Sequence, residues 1–233
     1  MPLSRRVTAE ALGTGVLAAA VVGSGVMAQS LTTDVAVQLL VNALATVACL
    51  GVLVAVLGPV SGAHLNPVVT GFAVVRGWLP RRELLPYAAA QVIGAGAGVV
   101  VANLMFGLPA VELATRDRAD VGTFVGEVVA TAGLVVVVAA ASRPGWTHRA
   151  AVLVPAWIGS AYFFTSSTSF ANPALTAGRA LSDTFAGIAP ASVVPFVAAQ
   201  VVGALVGGGL VAGLGARHPV PSPPVPREAD RAR

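Results

Sequence analysis

Uncharged stretches too long for an ordinary soluble protein run through this chain. The longest extends from residue 35 to residue 75 and contains no Asp, Glu, Lys or Arg. Only 10% of the 233 residues are charged, whereas soluble domains carry about 25%. Because a helix needs ~20 mainly apolar residues to cross a bilayer, the chain is predicted to be a multi-pass membrane protein. The same composition excludes soluble enzymes, nucleic-acid binders and disulfide-rich secreted proteins.

Apolar runs bounded by turn signals predict six membrane-spanning helices. They are placed at about 8–29, 36–57, 84–106, 121–142, 149–167 and 188–214, with Gly58-Pro59 expected to end the second. An even number of spans puts both termini on the same side. Eleven of the 14 basic residues, all of them arginine, then lie on the side of the termini, which the positive-inside rule identifies as the cytoplasm. We therefore expect a protein of the cell (plasma) membrane with cytoplasmic N- and C-termini.

Two short apolar segments, each opened by Asn-Pro, lie between the spans. The first begins at Asn66-Pro67 and ends near residue 75, which as a helix of ~1.5 Å per residue covers roughly 13 Å. The second begins at Asn172-Pro173 and ends near residue 182. Neither can cross a hydrocarbon core of ~30 Å. We therefore predict two re-entrant half-helices, at 67–75 and 173–182.

The two halves of the chain repeat three landmarks in the same order. These are Glu10, Asn66-Pro67-Val68 and Gln91 in the first half, and Glu127, Asn172-Pro173-Ala174 and Gln200 in the second. Three spans in each half require the second copy to be inverted, which predicts repeats at 8–114 and 115–216. A cytoplasmic tail at 1–7 and a disordered Pro/Arg-rich cytoplasmic tail at 217–233 are expected to flank them. Inverted repeats with interrupted helices are typical of a solute pathway at the repeat interface.

These residues resemble those of the aquaporins, the major intrinsic protein family, over about residues 8–214. The resemblance rests on the segments 61–70 and 170–174 and on a glutamate in each of the first and fourth spans. It implies an all-α membrane fold of six helices plus two half-helices that meet at mid-membrane. It also implies a homotetramer with one pore in each subunit. The function implied is a passive channel for water and/or small uncharged solutes.

The chemistry of the two Asn-Pro segments agrees with that function. The N-terminus of a helix carries free amide donors and about half a positive charge, so two such ends facing each other repel cations. The side-chain oxygens of Asn66 and Asn172 can cap these ends while their NH₂ groups donate to a passing water or hydroxyl group. Such donors interrupt a proton wire. The segments are therefore expected to exclude protons and ions.

Glu10 and Glu127 are ionisable groups inside predicted spans and admit two interpretations. They could serve a secondary transporter of a small solute, or they could accept hydrogen bonds from a re-entrant loop, as similar glutamates do in the family. We expect the loop-supporting role, because the spans contain no histidine and, apart from Arg149 at the very start of the fifth, no basic residue that would form a relay. We expect the same role for Gln91 and Gln200. A non-conducting structural or junctional protein remains a third possibility.

The expected selectivity filter departs from the family pattern. Most relatives place an arginine directly after the second Asn-Pro-Ala, whereas this chain has Leu175. Spacing puts the other three filter positions at Thr46, Ser160 and Ser169. None of the four is bulky, aromatic or charged. We therefore expect a pore wider than a strict water channel, which admits glycerol, urea-like molecules or neutral metalloid hydroxides such as arsenous acid (arsenite). In the first motif, Val68 replaces the usual alanine.

Arg179 lies four residues after Leu175 and therefore on the same face of the second half-helix. Its side chain could reach back and partly replace the missing filter arginine, because helical side chains lean toward the N-terminus. The simpler interpretation, which we prefer on the sequence, is an ion pair with Asp183 at the surface.

No nucleophile–base pair, metal-ligand cluster or phosphate-binding loop is recognisable in the chain. We expect no enzymatic activity, no cofactor and no metal site. The expected partners are water, small neutral solutes, the lipid bilayer and further copies of the chain, with no nucleic acid.

Overall fold

The computed structural model describes residues 1–215, which contain eight α-helices. They are α1 (Leu3–Leu31), α2 (Val35–Ser61), α3 (Pro67–Val75), α4 (Leu84–Met105), α5 (Val121–Ala141), α6 (Ala150–Phe164), α7 (Pro173–Gly178) and α8 (Pro190–Gly213). The predicted all-α fold is confirmed. The tail predicted at 217–233 lies outside the described residues.

Five of these helices, α1, α2, α4, α5 and α8, are long and apolar enough to cross a membrane. The 15 residues of α6 cover only about 22 Å at ~1.5 Å per residue, although a 3₁₀ turn at Thr147–Arg149 extends the helix at its start. α6 ends before the predicted residue 167 because the chain turns away after Phe164. The Ser166 hydroxyl then donates to the Gly122 carbonyl at 2.8 Å.

Two predicted helix ends differ in the structure. α1 begins at Leu3, so most of the tail predicted at 1–7 is helical. The Arg6 guanidinium anchors this first turn through an ion pair with Glu83 at 2.7 Å. α2 continues through Pro59, so the interruption predicted at Gly58-Pro59 is wrong. The helix loses the one bond that the missing N–H of Pro59 would have donated to the carbonyl four residues earlier, and it continues to Ser61.

The long helices form two groups of three, with the half-helices α3 and α7 between them. α1 packs against α2 and α4, and α5 packs against α6 and α8. α3 contacts α4, α5 and α8, whereas α7 contacts α1, α4 and α8. Each half-helix therefore contacts long helices of both groups. The division into repeats at 8–114 and 115–216 stays a prediction.

Close helix contacts through glycine occur at matched places in the two groups. A Cβ atom on Gly98 of α4 would lie 2.0 Å from the carbonyl oxygen of Gly15 in α1. A Cβ on Gly207 of α8 would lie 2.5 Å from the carbonyl oxygen of Ala132 in α5. Small residues allow membrane helices to pack this closely. These contacts help to fix the frame that holds the half-helices.

Candidate functional site

An asparagine side chain caps each half-helix. Oδ1 of Asn66 accepts from the amide of Val68 at 2.9 Å at the start of α3. Oδ1 of Asn172 accepts from the amides of Ala174 at 3.0 Å and Leu175 at 3.3 Å at the start of α7. Pro67 and Pro173 occupy the first helical positions, where a missing N–H costs no intrahelical bond. Both N-termini therefore keep their helical geometry and their partial positive charge.

The two caps also bond to each other's loop. Nδ2 of Asn66 donates to the carbonyl of Ala171 at 2.7 Å, and Nδ2 of Asn172 donates to the carbonyl of Leu65 at 2.8 Å. A primary amide has two N–H groups, so each asparagine keeps a second donor. Both side chains line a cavity in the centre of the bundle. The expected capping is present, and this reciprocal bonding adds to it.

Leu65 and Ala171 direct their carbonyls to the opposite loop by adopting left-handed backbone angles, with φ of 50° and 45°. Such a conformation costs roughly 1–3 kcal/mol at a residue other than glycine. Buried carboxylates hold both loops, since Glu10 and Glu127 are each 0% exposed. Glu10 accepts hydrogen bonds from the backbone amides of His64 and Leu65, and Glu127 accepts them from the amides of Phe170 and Ala171. The four distances are 2.6–3.0 Å.

Gln91 and Gln200 connect these carboxylates to the half-helices. Nε2 of Gln91 donates to Glu10 at 2.7 Å, and Nε2 of Gln200 donates to Glu127 at 2.6 Å. The same nitrogens lie 3.0 Å and 2.9 Å from the hydroxyls of Thr70 and Thr176, respectively. The two threonines were not identified from the sequence. The repeated spacing Asn-Pro-x-x-Thr was the signal that could have found them.

The central cavity is small, and its lining mixes apolar and polar side chains. Its volume open to the centres of water molecules is about 50 Å³, room for about three to five waters at ~10–15 Å³ each. The apolar lining residues include Leu17, Val21, Leu50, Val69, Leu134, Val154, Ile158 and Leu175. The polar lining residues are Thr46, His64, Asn66, Tyr162, Ser169, Asn172 and Arg179.

Three of the four predicted filter residues, Thr46, Ser169 and Leu175, line this cavity. The assignment of Ser160 is wrong, because its side chain is exposed and its hydroxyl donates to the Ala156 carbonyl at 3.0 Å. A simple count back from the second Asn-Pro does not account for the turn that follows α6, so it selects the wrong face of this helix.

Tyr162 lines the cavity in place of Ser160 and was missed by the sequence analysis. Its hydroxyl donates to Oγ1 of Thr46 at 3.2 Å. Val154, Ile158 and Tyr162 all line the cavity and are spaced by four residues, which places them on one helical face. This four-residue spacing was the sequence signal that could have identified Tyr162. Phe170 and Arg179 also line the cavity, so it contains aromatic and charged groups besides the four positions selected by spacing.

Arg179 is buried and faces the cavity. Its Nε donates to the carbonyl of Ala186, and its Cζ lies 3.4 Å from the centroid of the Phe170 ring. The preferred ion pair with Asp183 is absent from residues 1–215. The Asp183 carboxylate accepts from the backbone amide of Thr115 at 2.9 Å instead. Arg179 and Leu175 line the same cavity, and the part of Arg179 in the filter stays a prediction.

A second guanidinium approaches the same aromatic ring from the α4–α5 connection, residues 106–120. The Cζ of Arg118 lies 5.1 Å from the Phe170 centroid, and its Nε donates to the Gly187 carbonyl at 2.9 Å. Burial, followed by the neighbouring charges of Arg179 and Arg116, lowers the pKa of Arg118 to about 9. Arg118 therefore stays protonated at neutral pH. We call the end of the cavity next to this connection the loop end.

The model of the family described as "Major intrinsic protein" matches residues 1–171, which is more than half of the chain. The chain belongs to the major intrinsic protein family. The matched region contains the first Asn-Pro motif and both buried glutamates. The second Asn-Pro motif lies just beyond it, and the geometry described above pairs it with the first.

Relatives of this major intrinsic protein include bacterial and plant proteins. It is 49% identical over 205 residues to "Aquaglyceroporin AqpS" of Rhizobium meliloti (strain 1021), covering 87% of each chain. It is 40% identical over 131 residues to "Aquaporin NIP1-4" of Oryza sativa subsp. japonica, covering 53% of this chain and 48% of that protein. The X-ray structure of the aquaglyceroporin from Plasmodium falciparum matches with a TM-score of 0.66 at 21% identity, covering 90% of this chain and 96% of that one.

The structural match confirms the aquaporin fold that the sequence predicts. Its family and its relatives identify this major intrinsic protein as a passive transmembrane channel for water and small solutes. The alternative of a secondary transporter is not favoured. In the described part of the chain, no group of three His, Cys, Asp or Glu side chains is placed to hold a metal ion.

Proposed function

We propose that the channel conducts water together with small uncharged polyols of glycerol size, urea-like molecules and neutral metalloid hydroxides such as arsenous acid. We also propose that it excludes protons and ions between Asn66 and Asn172. The observation that carries the proposal is the reciprocal bonding of these asparagines, which brings two half-helix N-termini together on a cavity of molecular width.

The exclusion of ions follows from the charge at this meeting point. Each N-terminus contributes about half a positive charge, and no carboxylate among residues 1–215 lines the cavity. A cation would lose its hydration shell there without gaining an anionic partner. A neutral oxygen instead accepts from the remaining N–H groups of both asparagines, which orients it and interrupts proton transfer along the water file.

The mixed lining of the cavity supports this solute class. Water needs only polar contacts, whereas a polyol has both hydroxyl and C–H groups. The polar lining residues can bond to the hydroxyl groups, and the apolar ones can contact the C–H groups. A relative of similar length is named an aquaglyceroporin, which supports this assignment. Tyr162 and Arg179 limit the solutes to narrow ones, so the greater width expected from the sequence is not part of the proposal.

The remaining site residues have supporting or lining roles in this proposal. Thr46, Ser169 and Leu175 contribute to the constriction at the loop end. Val68 and Ala174 donate their backbone amides to the capping asparagines. The loop-supporting residues are Glu10, Gln91, Glu127 and Gln200.

Stopped-flow light scattering of proteoliposomes would test the proposed function. It would measure water permeability under an impermeant osmolyte, and solute permeability under gradients of glycerol, urea and arsenous acid. We expect flux of water and of at least glycerol, increasing linearly with concentration because no carrier cycle limits it. Passage of water alone would reject the larger solutes. Saturable, gradient-coupled flux would reject the passive channel, and so would flux no greater than that of protein-free vesicles.

The cellular setting is a further part of the proposal. The arginine distribution supports a plasma-membrane protein with both termini in the cytoplasm. The family resemblance supports a homotetramer. Protease accessibility of tags at each terminus in inverted and right-side-out vesicles would test the orientation. The mass of the detergent-solubilised protein would test the oligomeric state.

A further inference from the structure

We infer that Arg179 and Tyr162 form the solute-selecting constriction of this channel, and that the constriction selects small neutral polyols. Arg179 then supplies the guanidinium that the chain lacks at Leu175, from a position one helical turn further along. The inference rests on the proposed function, because it names the residues that select the solute in the same channel.

The backbone after α7 places Arg179 above Leu175. α7 ends at Gly178, and the chain continues directly into a 3₁₀ turn at Arg179–Leu181. Arg179 therefore keeps its position on the face of Leu175, and its side chain leans back toward the start of the half-helix. Both residues line the central cavity, and Arg179 is only 4% exposed.

Two contacts fix the guanidinium while leaving donors free for a solute. Nε is bonded to the Ala186 carbonyl, and the Phe170 ring covers one face of the cation at 3.4 Å from Cζ. A guanidinium has five N–H groups, so four remain on the terminal nitrogens. Within residues 1–215, no carboxylate forms an ion pair with Arg179. The free donors can therefore bind an oxygen in the cavity.

Tyr162 and Ser169 are two further polar residues at the constriction. The Tyr162 hydroxyl uses its proton on Thr46, at 3.2 Å, which leaves the phenolic oxygen as an acceptor. Ser169 is 3% exposed, and its Oγ has no hydrogen-bond partner in the described part of the chain. A buried hydroxyl without a partner is costly, and a solute hydroxyl in the cavity would satisfy it.

Leu175 and the Phe170 ring add apolar groups to the lining of the same cavity, next to the Arg179 guanidinium. A solute that matches this lining carries acceptor and donor oxygens together with C–H groups, as a short polyol does. The charge of Arg179 adds repulsion for cations at this level. The constriction therefore selects by matching hydroxyl groups and by charge as well as by width.

The test compares water, glycerol and proton permeability of proteoliposomes that contain Arg179→Ala, Ser169→Ala or wild-type protein. We expect Arg179→Ala to raise the glycerol-to-water permeability ratio, because the opening widens, and to stay tight to protons as long as the barrier between Asn66 and Asn172 is intact. We expect Ser169→Ala to lower the glycerol-to-water permeability ratio about twofold to tenfold, the range for one hydrogen bond. Since the Ser169 hydroxyl has no hydrogen-bond partner among residues 1–215, its removal should leave the fold intact even if Arg179→Ala does not fold.

Arg116→Ala is the matched control. Arg116 bonds to the neighbouring carbonyl of Phe185 at 3.1 Å but does not line the cavity, so the permeability ratio is expected to stay at the wild-type value. Wild-type flux with unchanged ratios in folded Arg179→Ala and in Ser169→Ala would overturn the inference and leave the proposed function standing. Absence of flux in the wild-type protein would instead overturn the proposed function.

Discussion

Glu127 shows how a single buried side chain supports the channel. Its two oxygens accept from the amides of Phe170 and Ala171, both at 2.8 Å, and from Gln200 at 2.6 Å. Glu127→Gln preserves the shape but places an NH₂ group against one of these donors. We expect the loss of about 1–3 kcal/mol that an unsatisfied buried donor causes, measured as a lower Tm in detergent.

Glu112→Gln is the control for this change. Glu112 lies exposed in the α4–α5 connection, so the same substitution should leave the Tm within experimental error. An unchanged Tm in Glu127→Gln would show that the carboxylate does not support the loop.

Tyr162 and Ser160 provide a direct test of which face of α6 borders the pathway. Tyr162→Phe removes the bond to Thr46 and the phenolic oxygen from the cavity, so we expect altered glycerol-to-water selectivity with little change in Tm. Ser160→Ala changes a hydroxyl that faces away from the cavity, so its permeability should match wild type. Stopped-flow measurements of water and glycerol permeability in both variants would show which face of α6 borders the pathway. A selectivity change in Ser160→Ala alone would return the filter to the position expected from spacing.

At the scale of single residues, the sequence predicts what is repeated and fails where a side chain acts through distant contacts. Glu10 and Glu127 recur in the same order as the other landmarks of the two halves, and the family resemblance then implied that they support the re-entrant loops. The direction of Arg179 depends on Phe170 and on the Ala186 carbonyl, neither of which a helical repeat can indicate. The preferred ion pair with Asp183 was wrong because Thr115, 68 residues away in sequence, binds that carboxylate.

At the scale of helices, matched glycine contacts hold the long helices of each group together. We expect Gly98→Ala to destabilise the protein, because its Cβ would lie 2.0 Å from the carbonyl oxygen of Gly15. Overpacking of this kind typically costs about 1–3 kcal/mol. Thermal unfolding in detergent would measure the loss, with Gly208→Ala as the control, since no atom lies within 4 Å of a Cβ there. Equal Tm values would show that α1 and α4 can separate without cost.

Pro59 and Pro67, the two prolines in the uncharged stretch 35–75, show why helix ends were only partly predictable. Asn66 caps a new helix and Pro67 occupies its first position, so the start of α3 follows from local chemistry. Pro59 stands near the end of α2, and the helix ends only after Ser61, where Gly62 adopts a left-handed φ of 93°. A glycine and a proline in sequence do not reveal which of them ends the helix, because tertiary packing decides.

At the scale of the whole molecule, the convergence of the two half-helices makes the barrier to ions a shared property. Asn66→Asp and Asn172→Asp each keep the capping oxygen but replace the NH₂ donor with negative charge between two N-termini. We expect both variants to admit protons or K⁺, and to similar extents, because each asparagine contacts the other's loop at almost the same distance, 2.7 and 2.8 Å. Fluorescent pH measurements in proteoliposomes under a K⁺ gradient would detect the leak.

Asn103→Asp is the control for this substitution, because Asn103 is buried but does not line the central cavity. It should remain tight to protons, even if its stability falls through loss of the bonds to Ala110 and Leu181. Tight vesicles with both Asn66→Asp and Asn172→Asp, at normal water flux, would place the main ion barrier elsewhere. Among residues 1–215, Arg179 is the arginine that lines the cavity, and the same assay on Arg179→Ala would show whether its guanidinium forms the barrier.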